Sequence, residues 1–403
     1  MNYLLNRTYY QNLLKMTEKQ ESPFFFYDLD HLQNHLKYMD ELLDPDIKLW
    51  YACKANPMSA ILKIFRNLNF GIDVASQGEL DQVLRSGIKA NEILSTGPAK
   101  SKSYLRDLLD HDVRIIVLES FQQASDLNEI SKDIEKKPKT LLRVQLSWED
   151  GQSVLGGNQI TPFGLGPSDW ERYPIKDLKN IDIIGLHVFQ WGNILNIEKL
   201  EYTWNKTCHQ LVEFVKKNEL SLEVLDLGGG LGIPYEDGQK RIQFSDVSKI
   251  LVNLKKRYQL KKVWMELGRY AVGECGYYFA KIVDRKLVRG QEILILNGGI
   301  NHIARPALVN QFFPCHSFKS SNKKNKSFQI HGPLCTALDY LGTFELPGDI
   351  KQNDWLFFSK VGAYGFTEAM PFFLCHDLPS ESIYYRGDFM SPRSPKKSND
   401  WMV

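Results

Sequence analysis

The chain has no long apolar run. Across 403 residues of 43% hydrophobic composition, none approaches the roughly 20 apolar residues that a membrane-spanning helix needs. The N-terminal stretch "MNYLLNRTYYQNLLKMTEKQ" mixes charge and amide among its apolar residues, so a signal-peptide core is not expected either. Cysteine is scarce, six in all, with no CxxC pair and no His/Cys ladder at zinc spacing. Neither a disulfide framework nor a structural metal site is indicated. A cytoplasmic location fits. Charge of one sign is also missing: 50 Lys and Arg stand against 48 Asp and Glu, a net charge of +2. Neither nucleic acid nor an anionic membrane is expected as a partner, which leaves a small molecule. There is no internal repeat. The length corresponds to about two to three domains.

What is present is alternation. From about residue 28 to 270, β-rich apolar runs recur: "IKLWYACK", "GIDVAS", "EILSTG", "VRIIVLES", "TLLRVQLS", "IDIIGLHVF", "LEVLDLGGG" and "KVWMELGR". Between them lie segments with apolar residues at helical spacing, such as "SAILKIFRNL" and "EKLEYTWNKTCHQLVEFVKKN". Eight parallel βα units predict a closed (β/α)8 barrel. After Arg269 the runs "GYYFAKIVDRKLV", "QEILILNGG", "KSFQIHGP" and "DWLFFSKVGAYG" follow without a long helix, predicting a mainly β second domain. The expected boundaries are a barrel over 27–272 and a β domain over 273–403 that takes in part of 1–26. "SFKSSNKKNKSF" reads as a polar loop and "RGDFMSPRSPKKSNDWMV" as a disordered polar tail.

Barrel enzymes place their chemistry at the C-terminal ends of the strands. Lys54 ends the first predicted strand, Asp73 falls near the end of the second and His187 near the end of the sixth. Gly228, Gly229 and Gly230 follow the seventh, and Glu266, Gly268 and Arg269 close the eighth. Consecutive glycines let backbone N–H groups approach a phosphate without interference from Cβ, and Arg269 adds a charge. An ammonium group at a strand end is costly unless something pairs or reacts with it. A phosphate site together with such a lysine points to a phosphate-bearing aldehyde cofactor, pyridoxal 5′-phosphate, held through Lys54.

The motifs "YACKANP", "GIDVASQGEL", "STGPAKS", "DLGGGLGIPY", "ELGRYAVGECG", "GGINHIARPAL", "GPLCTALD" and "GAYG" resemble, in order and over nearly the whole length, the alanine-racemase-fold (fold type III) decarboxylases. This is the group of the diaminopimelate and ornithine decarboxylases. The resemblance implies that Lys54 carries the cofactor, that Glu266 stands beside its pyridine nitrogen, and that His187 stacks on its ring. It also implies that Tyr364 of "GAYG" contacts the phosphate and that Asp73 lies close to the lysine. Without it, the same residues read as a snorkelling lysine, a salt bridge between Glu266 and Arg269, a core histidine and a packed aromatic. Cys335 of "GPLCTALD" matches the cysteine that returns a proton to the substrate after decarboxylation; a free cysteine otherwise reads as a small buried hydrophobe. In the group this loop enters the partner's active site, so a homodimer with shared sites is implied.

The departures bear on the substrate. After this cysteine, ornithine decarboxylases carry an aspartate and diaminopimelate decarboxylases a glutamate, which pair with the far amine; here the residue is Thr336. A desolvated distal ammonium would lose its charged partner. Arg305 stands where the diaminopimelate enzymes hold a distal carboxylate, while Val309 replaces the tyrosine of their "RPALY". "HVFQWGN" departs from the usual glycine-serine phosphate loop and leaves the roles of Gln190 and Asn193 open. The stretches "GGINHIARPALVNQFFP", "PLCTALD" and "GAYGFTEAMPFFLCH" resemble those of the siderophore-pathway decarboxylases of the staphyloferrin B and rhizoferrin types. That similarity implies citryl-ornithine or citryl-diaminopropionate as substrate, bound through Arg305 and Thr336. The rivals are a diaminopimelate or other basic amino-acid decarboxylase, a racemase, or a non-catalytic cofactor carrier.

Overall fold

The computed structural model describes residues 13, 14, 17, 20–68, 70–148, 160–318 and 321–402. Its first strand, β1 (Phe24–Asp28), is absent from the sequence reading, which has no strand before residue 47. β1 pairs with strands far along the chain, and its Phe24, Phe25, Phe26 and Tyr27 are fully buried. Contact clustering divides the chain into two units. One comprises Met1–Leu32, Tyr235–Asp237 and Val272–Val403, the other Gln33–Pro234 and Gly238–Ala271.

The second unit is a closed parallel barrel of β2 (Ile47–Ala52), β3 (Gly71–Val74), β4 (Ile93–Ser95), β5 (Ile115–Leu118), β6 (Lys139–Arg143), β7 (Asp182–His187), β8 (Val224–Asp226) and β9 (Lys262–Leu267). β9 closes on β2 with Trp50 opposite Glu266. The eight strands coincide with the eight predicted runs. Strands covered on both faces need to be mainly apolar, and these are, with their polar residues towards the strand ends. Several helices between them begin at a side-chain cap. Ser76, Ser101, Ser120 and Asn196 accept from the backbone N–H three residues on, and Glu79 reaches back to accept from Ala75 N. Trp50, Leu94, Val117, Leu141, Ile184, Val224 and Trp264 form one core cluster, drawn from every barrel strand but β3. Gly71 on β3 explains the exception: a Cβ there would fall 2.1 Å from the Trp50 ring, so the indole occupies that place.

The other unit is a nine-stranded sheet. It contains β10 (Gly276–Val288), β11 (Gln291–Leu296), β12 (Cys315–Ser317), β13 (Asn325–His331), β14 (Tyr340–Pro347), β15 (Trp355–Ser359), β16 (Ser380–Tyr385) and β17 (Asp388–Arg393), as well as β1. The main path runs β14-β13-β11-β10-β1-β16-β17. β1 lies antiparallel to β10 and parallel to β16. Phe24 sits opposite Phe279 with the rings stacked at 4.6 Å.

The polar C-terminal stretch, expected to be disordered, instead forms β17 and a short 3-10 turn at Ser398–Trp401. β17 folds back on β16 through a two-residue hairpin turn, Arg386-Gly387, with φ of +55° and +90°. Arg393 pairs with the fully buried Glu381, and Phe389 packs on Phe26 and Tyr384. An unpaired buried carboxylate would be costly, so this ion pair ties the tail to the sheet.

Candidate active site

β2 ends at Ala52, and a 3-10 turn over Cys53–Ala55 turns Lys54 outward, exposed between two buried neighbours. The turn is fixed from below: Tyr51 donates to Asn56 O at 2.8 Å and stacks on Phe65. Lys54 Nζ stands 5.9 Å from the centre of the Phe189 ring. That ring also covers the glycine run, because Cβ atoms added to Gly228 and Gly229 would meet it at 2.9 and 3.2 Å. Phe189 therefore links the lysine to the glycine turn. Sequence reading missed it, although its place two residues after a strand-end histidine marks it.

Asp73, Asp226 and Glu266 are buried carboxylates at this end of the barrel. Glu266 on β9 pairs with His187 on β7, Oε1 to Nε2 at 2.8 Å; this bond, rather than the alternative pair with Arg269, is its observed partner. Burial opposes ionisation of Glu266, but His187, Lys54 and Arg143 more than offset it and hold the carboxyl below its ordinary value. Asp73 on β3 accepts from Thr96 Oγ1 at 2.7 Å. Burial and then Glu266 push its pKa up to about 8, against Lys54 and the Thr96 bond. Asp226 ends β8, fully buried, and burial followed by Glu266 raises it well above the usual range. Its Oδ1 accepts from Gly228 N at 2.9 Å, while its buried Oδ2 has no partner among the described residues. The result is one carboxylate held ionised between two that favour the protonated form. Ligand atoms of His187, Asp226 and Glu266 lie within 4.8 Å of one another, close enough to bracket a small cation. The bonds of Glu266 to His187 and of Asp226 to the glycine turn already use part of that set.

The glycine run follows Asp226. Gly228 and Gly230 have φ of +64° and +107°, values that side chains rarely adopt. Cβ atoms on Gly228, Gly229 and Gly230 would fall 2.3, 2.4 and 2.4 Å from the carbonyls of Val188, Glu266 and Trp191. No other residue fits there. Gly268 and the half-buried Arg269 follow β9, and Arg269 opens the short helix Arg269–Val272. Gln190 donates to Leu146 O, and Asn193 Oδ1 accepts from Ile233 N. Arg143 and Glu119, a buried ion pair at 2.8 Å, were also overlooked. Both sit at strand ends, as Lys54 does, so the same criterion would have found them.

The remaining predicted residues belong to the β-sheet unit. The loop holding Cys335 and Thr336 is pinned by Asp339, which accepts from Ile300 N and Leu334 N, both at 2.8 Å. Cys335 is exposed and Thr336 half-buried, with Thr336 Oγ1 accepting from Leu338 N at 3.2 Å. Arg305 is buried against two groups of its own chain: Glu368 Oε2 at 2.7 Å, and the Tyr364 ring, 5.0 Å from its guanidinium carbon. The pairing with Glu368 was not foreseen.

These features fit pyridoxal 5′-phosphate. The exposed Lys54 suits its aldehyde, a turn that excludes every Cβ suits its phosphate, and an ionised carboxylate suits a protonated pyridine nitrogen. Comparison with known proteins agrees. Residues 29–273 match the family described as pyridoxal-dependent decarboxylase, pyridoxal binding domain. A L-glutamyl-[BtrI acyl-carrier protein] decarboxylase of Niallia circulans is 25% identical over 402 residues, covering 96% of this chain and 94% of that protein. A 2-[(L-alanin-3-ylcarbamoyl)methyl]-2-hydroxybutanedioate decarboxylase of Staphylococcus aureus is 27% identical over 396 residues, covering 93% and 97%. The crystal structure of diaminopimelate decarboxylase from M. jannaschii with L-lysine superposes with a TM-score of 0.88 at 22% identity, over 97% of this chain and 93% of that one. The chain thus belongs to the pyridoxal-dependent decarboxylases of fold type III, a carboxy-lyase whose cofactor is pyridoxal 5′-phosphate.

Proposed function

We propose that this decarboxylase removes the α-carboxylate of an amino acid whose far end is tied as an amide to a polycarboxylate. Citryl-ornithine or citryl-diaminopropionate is such a substrate, and the reaction belongs to siderophore biosynthesis. The observation that carries the reading is the Cys335-Thr336 loop, which offers no carboxylate to a distal amine. Thr336 is neutral, and the one acid in "GPLCTALD", Asp339, is buried with both oxygens accepting from backbone. A free distal ammonium would be desolvated there without a counter-charge. Two relatives support the same reading, since their names describe an amino acid that is covalently tied, through an amide to a hydroxybutanedioate in one and to an acyl-carrier protein in the other.

The residues divide the work as follows. Lys54 is the attachment point of the cofactor. Glu266 holds the pyridine nitrogen protonated, His187 lies against the ring, and Asp73 sits in the field of the lysine. Gly228, Gly229, Gly230, Gly268, Arg269 and Tyr364 bind the phosphate. The cofactor supplies an electron sink for the pair left by departing carbon dioxide. Cys335 of a second copy returns a proton to the α-carbon, which makes the working unit a homodimer with shared sites. Arg305 and Thr336 face the substrate's far end. Because Glu368 already neutralises part of Arg305, a substrate carboxylate must share or displace that pair.

A diaminopimelate decarboxylase is the second reading, favoured by the buried Arg305 as a cation for a distal carboxylate. Carbon dioxide release from citryl-ornithine, citryl-diaminopropionate, diaminopimelate, ornithine and lysine, measured side by side, separates the two. Turnover confined to diaminopimelate, ornithine or lysine overturns the citryl proposal.

A further inference from the structure

The stretch after β7, "HVFQWGN", lacks the glycine-serine pair that resembles a phosphate loop, yet it runs against the glycine turn throughout. Ile194 N donates to Gly230 O at 2.8 Å, and Gly232 N donates to Ile194 O at 2.9 Å. These bonds form a parallel bridge between Ile194 and Leu231. Beside the bridge, Asn193 takes a left-handed backbone with φ of +54°, and its Oδ1 accepts from Ile233 N at 3.3 Å. The fit is tight: a Cβ on Gly232 would fall 2.6 Å from Asn193 Oδ1. At the other end of the turn, Gly228 N is held by Asp226 Oδ1. The N–H groups of Gly228, Gly232 and Ile233 are therefore spent on protein acceptors. Those of Gly229, Gly230 and Leu231, between them, have no protein acceptor among the described residues. A run of backbone N–H groups clamped at both ends in this way is a preformed nest for an oxyanion.

We propose that Asn193 is a positioning residue for the cofactor phosphate. It does not touch the phosphate; it clamps the far side of the turn so that the three intervening N–H groups converge on one anion. The inference rests on the pyridoxal phosphate reading of the site. A neutral amide suits the task, because it supplies an acceptor without setting a negative charge beside the phosphate.

The test titrates cofactor-free protein with pyridoxal 5′-phosphate and, separately, with pyridoxal, which carries the same aldehyde without the phosphate. Binding is followed by absorbance, and borohydride trapping at Lys54 identifies the attachment point. Asn193→Gly keeps the left-handed backbone and loses the amide oxygen. Its affinity for pyridoxal 5′-phosphate falls about three- to tenfold, the worth of one hydrogen bond, while pyridoxal binding is unchanged. Asn193→Asp keeps an acceptor but adds charge near the phosphate; its loss is larger, is confined to the phosphorylated form, and shrinks as salt is raised. Unchanged affinity in both variants, or equal losses for the two aldehydes, overturns the assignment of Asn193. A wild-type protein that binds both aldehydes equally well overturns the phosphate turn itself and this inference with it.

Discussion

At the scale of single residues, Asp73 carries a sharp expectation. Its folded-state pKa of about 8 lies above the value of ~3.9 in an unfolded chain, so the folded protein holds a proton there that the unfolded chain has released. The stability linked to that proton is complete below pH ~4 and is lost as pH rises towards about 8. In cofactor-free protein, Asp73→Asn removes this loss while keeping an acceptor for Thr96. Thermal melting from pH 5 to 8.5 is expected to show a shallower decline for the variant, and parallel curves would contradict the assignment. Glu368→Gln tests the Arg305 pair. Freeing the guanidinium lowers KM for a substrate with an anionic tail by about two- to fivefold, the scale of a partly exposed ion pair, with kcat nearly constant. A higher KM would mean that Glu368 instead holds Arg305 in place. Lys54, Glu266 and the glycines were legible because a charge at a strand end or a run of glycines breaks a local rule. Glu368 and Asn193 break none, and only the folded chain reveals their partners.

At the scale of elements, the barrel strands were readable because strands buried on both faces are mainly apolar runs. β1 and β17 were not. β1 is five residues long with no local partner, and its composition says nothing of its pairings. β17 has a local partner, β16, across the Arg386-Gly387 turn, but its polar residues hide the strand, and Arg393 meets the buried Glu381 on β16. β1 is the tie between β10 and β16, so truncating it is costly. Phe24→Ala is expected to destabilise the sheet unit by about 3–5 kcal/mol, the usual range for deleting a buried aromatic, read as a lower urea midpoint. A midpoint within error of wild type would show that the stack on Phe279 adds little.

At the scale of the whole molecule, the sheet unit exposes apolar groups near its catalytic candidate. Leu338 stands in the Cys335 loop, and Met370, Phe372, Phe373 and Leu374 follow on a segment that Met370 N ties to Ile300 O. Ile300 N in turn donates to Asp339 of the same loop. The proposed dimer, whose sites would combine Lys54 of one copy with Cys335 of the other, would cover apolar surface of this kind. If so, Lys54→Ala and Cys335→Ala chains, each inactive alone, recover activity when dissociated and mixed. Half of the randomly paired dimers carry one intact site of two, so about a quarter of wild-type activity returns. No recovery, with dimers formed, would place both residues in a single chain's site.

The position of β1 has a further consequence during synthesis. "FFFYD" leaves the ribosome well before its sheet neighbours, which start at residues 276 and 380. Until they follow, this sticky pentapeptide has no strand to join. Contacts so distant in sequence form slowly, and an unsatisfied aromatic strand invites association between nascent chains. The protein is therefore expected to depend on chaperones until its C-terminal third emerges, with Phe24 and Phe26 among the residues they shield.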